Sequence, residues 1–174
     1  MTMPMKTPVV LTLDDLSRLR SRELEAVYAE GLLPERLSAL NGRPRGRVLA
    51  IAHLDRGPLL KMVSLVVGSR FFPWEGKNFA STGKKTGGGR NRVNLLARDF
   101  EWFGFKTRVE KSLLDGKPCV RLDYGMAENP WPVNKVKDEL REVSPGLYLG
   151  PSLLQLRQEP RLLYWFAVDA RVQC

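Results

Sequence analysis

From Arg92 onward the chain breaks into short segments rich in β-branched and aromatic residues, separated by strong turn signals, and this pattern limits the folds open to it. Arg92 to Leu114 is a long β-type stretch with Phe100, Trp102, Phe103 and Phe105 grouped around Gly104, where a kink or bulge is expected. Asp115-Gly116 is a hairpin signal, and Cys119 to Tyr124 returns from it. After Asn129-Pro130-Trp131-Pro132 come Lys137 to Val143, Leu147 to Leu156 and Arg161 to Arg171, punctuated by Ser144-Pro145-Gly146 and Gln158-Glu159-Pro160. The last segment puts Leu162, Tyr164, Phe166 and Val168 on one face. Turns recurring every ~8–12 residues between such segments indicate an antiparallel barrel or sandwich, and closing a barrel removes the exposed sheet edges. The chain shows no internal repeat.

The N-terminal part has a different period. Thr12 with Asp15 three residues on forms a cap signal, and Leu13, Leu16 and Leu19 follow at helical spacing. Ser21 offers a second cap for a helix carrying Leu24, Val27 and Tyr28, which Gly31 can end through a left-handed backbone. Pro34, Leu37 and Leu40 suggest a third helical piece before Asn41-Gly42. A strand is expected from Arg47, with Val48, Ala50, Ala52 and Leu54 alternating with their neighbours. Leu59 to Gly68 is apolar nearly all round and is read as a buried helix near 58–69, a strand being the alternative. Gly83 to Arg90 is read as a flexible loop; a phosphate-binding loop would need Gly and Ser or Thr where Asn78 and Lys85 stand. The expected fold is mainly β (α+β), an antiparallel lipocalin-like or calycin-type barrel over 42–174 behind a helical segment 1–41, in one domain 1–174.

At 174 residues and 43% hydrophobic content the chain can bury one full core. No segment has the length of a transmembrane helix, and Met1 to Leu16 lacks the apolar core of a signal peptide. Cys119 and Cys174 are the only cysteines, which gives no disulfide framework and suggests a reducing, cytoplasmic setting. The formal charge of +9 is concentrated in Lys77, Lys84, Lys85, Arg90, Arg92 and Arg98. This strip suits weak contact with a polyanion or an anionic membrane surface, or is a solvated face of a basic protein.

Phe71 to Phe79, Phe-Phe-Pro-Trp-Glu-Gly-Lys-Asn-Phe, packs three Phe and a Trp around one Lys, the composition of an apolar wall with a cationic anchor. Gly42-Arg43-Pro44-Arg45-Gly46 lies upstream of it. Together these resemble the bacterial GXWXG-motif proteins, a group similar to lipocalin and fatty-acid-binding barrels. The Gly42/Gly46 spacing matches the name motif, Trp74-Glu75-Gly76-Lys77-Asn78-Phe79 is similar to the group's Trp-x-Gly-Lys-x-Phe segment, and Asp123-Tyr124 to Gly150 resembles its final strands. Pro44 stands where the motif has Trp. That Trp closes one barrel end in the lipocalin type, so the departure implies another plug, Trp74 or Trp131, or another fold. The resemblance implies a barrel around a small apolar ligand and no known reaction.

His53 is the sole histidine and the necessary base of any Ser-His-Asp or Cys-His triad, or a structural histidine in an apolar strand. With Asp123 and Tyr124 it makes up the candidate proton-moving set, although Asp123 and Tyr124 face opposite sides of a strand. No metal-ligand spacing occurs, and neither metal nor cofactor is expected. Candidate ligand-binding residues are Trp74, Lys77, Phe79, Trp102, Arg121, Tyr124, Arg141, Tyr148 and Phe166: aromatics for the apolar body, and Lys77 or an inward Arg for an anionic head. For Arg121 and Arg141 the outward orientation is the cheaper one, because a buried unpaired Arg is costly. Three functions follow in order: binding a hydrophobic, fatty-acid-like molecule in the barrel; a cofactor-independent isomerase or cyclase acting on such a molecule; and a basic nucleic-acid-binding module, which would show Trp102 or Phe105 on the solvent side.

Overall fold

Alternation along Val120-Arg121-Leu122 and Asp138-Glu139-Leu140 sends every second side chain to opposite faces of a sheet, and both faces here are covered. The computed structural model describes residues 10–51, 74–95, 98–156 and 159–174. Its strands are β1 (Pro44–Ile51), β2 (Trp74–Ser81), β3 (Thr86–Leu95), β4 (Arg98–Lys111), β5 (Pro118–Asp123), β6 (Val136–Ser144), β7 (Leu147–Leu154) and β8 (Arg161–Gln173). Each pairs antiparallel with the next, and β8 returns to β1, so the eight strands form a closed barrel. The predicted helix near 58–69 lies outside the described residues, as do Phe71 to Pro73 and His53.

Inside the barrel Phe79, Phe105, Val120, Leu122, Tyr124, Leu140, Tyr148, Phe166 and Val168 form one cluster. Leu37 and Leu40, from the 3₁₀ turn Leu37–Leu40, join it from one end and close that end. The crevice left beside them, against Phe79 and Thr107, is too narrow for water. The other end, where β2, β6 and the return into β8 begin, carries Trp74, Val136 and Tyr164.

Two short helices cover the outside. α1 (Leu13–Ser17) is held by a capping box in which the Thr12 hydroxyl accepts from the Asp15 amide and the Asp15 carboxylate accepts from the Thr12 amide. α2 (Ser21–Glu30) turns Leu24 and Tyr28 inward. These residues pack with Leu13, Leu16, Leu147, Leu149, Trp165 and Ala167 into a second apolar cluster on the outer face of the sheet. Leu16 and Leu24 are fully buried there, each contributing about 2 kcal/mol.

Five local expectations need correction, the first being the cap of α2, which is Arg20, while the Ser21 hydroxyl accepts from Trp165 Nε1. Gly31 does end α2, but its φ is −66°, so no left-handed cap is involved. A Cβ there would come within 2.9 Å of the Arg141 Cβ, and the glycine is required for that close approach. Gly87, Gly88 and Gly89 are not loop but part of β3; at Gly89 a Cβ would strike the Asn78 carbonyl and the Phe105 ring. The bulge expected at Gly104 falls on Phe103, which takes φ +53° while Arg90 pairs with Gly104 and Asn91 with Trp102. Leu162 leaves the face of Tyr164, Phe166 and Val168 and packs with the outer cluster, next to a register shift between Ser152 and Leu153.

Candidate functional site

The inner wall carries a polar cluster that no short sequence motif announces. Lys77 of β2 crosses the lumen to Asp138 of β6, its Nζ lying 2.9 Å from Asp138 Oδ2. The same ammonium donates to Asn91 Oδ1 at 2.7 Å and to the Tyr124 hydroxyl at 2.6 Å. Tyr124 in turn donates to Asp138 Oδ2 at 3.1 Å, and Trp74 Nε1 donates to Asn91 Oδ1 at 3.2 Å. Four rings, those of Trp74, Phe105, Tyr124 and Phe166, stand 4.9–5.6 Å from the charge. Their negative faces help offset the desolvation of a cation that is 1% exposed.

Strand order explains how the cluster forms. Lys77 and Asn91 are register partners across β2 and β3, and Tyr124 reaches in from the end of β5. Asp138 pairs with Ser152 across β6 and β7, and Ser152 with Tyr164 across β7 and β8. In a barrel of eight strands β2 and β6 lie opposite each other, so a lysine is long enough to span the lumen. Burial lowers the Lys77 pKa, and Asp138 opposes the shift only in part. Burial raises the Tyr124 and Tyr164 hydroxyls above the usual tyrosine range, and the Asp138 charge adds to the effect. Both phenols therefore stay protonated as donors at neutral pH.

Hydrogen-bond accounting separates used from unused atoms. All three ammonium protons of Lys77 are committed to Asp138, Asn91 and Tyr124. Among the described residues Asp138 Oδ1 and Ser152 Oγ, on neighbouring strands, make no well-formed hydrogen bond although their residues are 1% and 0% exposed; the Tyr164 hydroxyl lies against Ser152. Beside them Trp74, Val136 and Tyr164 face the lumen and keep partial exposure.

Six of the nine proposed ligand-binding residues meet on the inner wall: Trp74, Lys77, Phe79, Tyr124, Tyr148 and Phe166. The other three lie elsewhere. Trp102 is 43% exposed on β4 and forms an outer aromatic group with Phe100 and Phe103. Arg121 is on the outer face, paired with Glu139 at 3.2 Å and Glu110 at 3.4 Å. Arg141 is also outside the barrel. It forks onto Asp115 with two 2.7 Å bonds, donates to the main chain of Tyr28, Lys117 and Pro118, and stacks 4.2 Å from the Tyr28 ring. These arginines fasten α2 and the β4–β5 turn to the barrel, where their charges are met by carboxylates.

Asp123 also points away from the lumen, toward Arg108 and Lys137. Burial would raise its carboxyl, but hydrogen bonds from Lys137 and the Gly125 amide hold it below the usual range. Asn91, Asp138 and Ser152 were not singled out from sequence, and Tyr164 was placed on the face of Phe166 but not among the ligand-binding residues. The signal available was the polar Asp138 and Ser152 at inward positions of otherwise apolar strands, legible only once register is known.

The basic strip is likewise divided. Lys77 and Arg92 are buried, whereas Lys84, Lys85, Arg90 and Arg98 are exposed. Arg92 donates to the main-chain oxygens of Arg43, Pro44, Glu75 and Cys174, bringing β1, β2 and β8 together. Beside it Gly46 touches Gly76, and a Cβ on Gly46 would lie 2.5 Å from the Gly76 Cα and 2.7 Å from the Trp74 ring. The two glycine-bearing motifs thus meet in space, with the Trp74 ring against Gly46. Trp131 is 61% exposed and plugs nothing.

This architecture is a closed eight-stranded antiparallel barrel of calycin-like form. The chain is similar in fold to a crystal structure of a protein from Thermomonospora curvata, with a TM-score of 0.53, 16% identity, and 87% of this chain and 88% of that chain covered. No family model matches the chain, nor does any curated protein.

Proposed function

We propose that the protein binds a small, largely apolar molecule in the end of the barrel marked by Trp74, Val136 and Tyr164, with the molecule's polar end at the Lys77/Asp138/Ser152 cluster. The observation that carries this reading is Asp138 Oδ1, a buried acceptor without a hydrogen bond among the described residues, set in an inner wall of aromatic rings. A buried polar atom without a partner costs about 1–3 kcal/mol, and a ligand group that satisfies it recovers that cost on binding. The apolar wall supplies the remaining affinity, as in ligand cavities generally. The GXWXG resemblance supports the same reading, since it implies a barrel around an apolar ligand.

Native mass spectrometry of the purified chain, beside the same sample denatured, tests this. A discrete small mass lost on denaturation is expected, together with uptake of a fluorescent lipid. A clean apo mass with no uptake would overturn the proposal.

A second reading rests on the solvent-facing Trp102 with Phe100 and Phe103, flanked by Arg90 and Arg98, as a stacking surface for single-stranded nucleic acid. It is weaker, because exposed Asp99 and Glu101 interleave negative charge among those bases. Binding that falls steeply with salt and is lost in Trp102→Ala would raise it above the first.

A further inference from the structure

The end of the barrel closed by Leu37 and Leu40 carries a surface that ligand binding does not use. The turns from β2 to β3, from β4 to β5 and from β6 to β7 all lie at this end. The stretch between α2 and the 3₁₀ turn runs beside it, where Leu32 bridges to Glu142 near the end of β6. We propose that this end docks on an anionic lipid bilayer, with leucine side chains entering the headgroup layer and basic side chains resting against the lipid anions. The proposal stands apart from the ligand-binding reading, which concerns the opposite end of the barrel.

Two kinds of side chain meet on this surface. Leu32, Leu33 and Leu114 are 72%, 36% and 39% exposed, and Leu32 is the most exposed large hydrophobic residue among those described. A lone exposed leucine is ordinary on a protein surface, but these stand at one end together with cations. Arg36, Lys84, Lys85 and Lys111 are exposed there, and none makes an ion pair among the described residues. Asp115, next to Leu114, is already neutralised by Arg141, so the exposed acids set against these cations are Glu30 and Glu35. Both kinds of side chain have their counterpart in a bilayer. Anionic headgroups attract the cations, and the boundary of the acyl chains takes the leucines out of water. A bilayer also requires no fixed shape, which suits cations spread over separate turns.

Nucleic acid fits this end less well. Binding of single strands draws on aromatic rings against which bases stack. The exposed aromatics Phe100, Trp102, Phe103 and Trp131 belong to the first half of β4 and to the β5–β6 connection, toward the other end. Leucine offers a phosphate chain nothing.

The test is co-sedimentation of the full chain with vesicles of phosphatidylcholine alone and of phosphatidylcholine mixed with phosphatidylserine. At low salt the protein should partition about tenfold more strongly to the anionic vesicles, and the preference should fade at ~0.5 M salt, where charges are screened within a few ångströms. Lys84→Glu with Lys85→Glu should remove the preference, and Leu32→Ser should weaken binding to either vesicle about threefold. Lys106→Glu with Lys135→Glu changes the net charge equally but lies farther from this end, and should keep most of the preference. All these side chains are exposed, so the variants should fold, which circular dichroism checks. Equal losses in the two lysine pairs would reduce the effect to net charge and overturn the proposal. Equal partition of the wild type to the two vesicles, or unchanged binding by Leu32→Ser, would overturn it as well. Binding to a single-stranded oligonucleotide in place of anionic vesicles, lost with Lys84→Glu and Lys85→Glu, would assign this end to nucleic acid instead.

Discussion

Asp138 and Glu139 are adjacent in sequence, both buried and both paired with a cation, yet they sit on opposite faces of β6 and differ in how fully they are used. Glu139 faces α2 and spends both oxygens twice: Oε1 accepts from Arg121 and the Leu113 amide, Oε2 from the Tyr28 and Ser112 hydroxyls. Asp138 faces the lumen and spends one oxygen only. The outer carboxylate holds a helix and a turn in place, and its saturation leaves nothing for a ligand. The inner one keeps an acceptor in reserve at a stability cost. Buried charge alone does not separate a binding site from a fastening; unused hydrogen-bonding capacity does.

Removing the outer carboxylate gives the largest expected effect. Glu139→Ala removes the nearest carboxylate from buried Arg121 and an acceptor from the Tyr28 and Ser112 hydroxyls, so urea unfolding should show a loss of about 3–5 kcal/mol. A double change to Arg121→Met and Glu139→Leu should recover much of it, because a well-packed apolar pair avoids the desolvation of both charges.

Asp115→Asn should cost about 2 kcal/mol by weakening the fork to Arg141. The bond to Arg141 is the main cause that holds the Asp115 carboxyl down at about 2, against 3.8 normally. Its contribution is therefore complete above about pH 4 and lost as pH falls toward 2, and the variant should show a flatter acid limb in thermal melts.

The alkaline limb should come from both regions. Burial raises the hydroxyls of Tyr28 outside and of Tyr124 and Tyr164 inside, with the Glu139 and Asp138 charges adding to the shift. Unfolded tyrosines ionise near pH 10 while these keep their protons, so stability present below pH 10 declines as the pH rises beyond it. Tyr28→Phe should soften this decline.

The smallest effect has the opposite sign. Ser152→Ala should stabilise the ligand-free protein by about 1 kcal/mol or less, because it deletes a buried hydroxyl whose contact with the Tyr164 hydroxyl falls short of a well-formed hydrogen bond. A destabilisation of that size would mean that Ser152 is structural and would break the contrast between the two faces.

Much of the barrel was legible in sequence because its signals are local. Turn residues such as Asp115-Gly116 and Ser144-Pro145-Gly146 mark the corners, and Thr12 with Asp15 starts the first helix. Gly87 to Gly89 read as loop because glycine usually means freedom, whereas here neighbouring backbone and the Phe105 ring leave no room for a side chain. The site was half legible. Lys77 and Tyr124 stood out as single residues, but their partners Asn91 and Asp138 lie 14 residues further along from Lys77 and from Tyr124, respectively. Which strand faces which across a lumen is set by barrel closure, and a linear pattern does not carry it. The inward or outward sense of Arg121 and Arg141 depended in the same way on α2 lying over that face.

The closure itself has a consequence for biosynthesis. β1 pairs with β8 over most of its length, from Pro44 with Gln173 to Ile51 with Tyr164. The first of the described strands thus pairs with the last, and its edge on that side waits through the synthesis of more than a hundred residues. Until β8 has left the ribosome, β1 presents an unpaired edge of the kind that invites pairing with other chains.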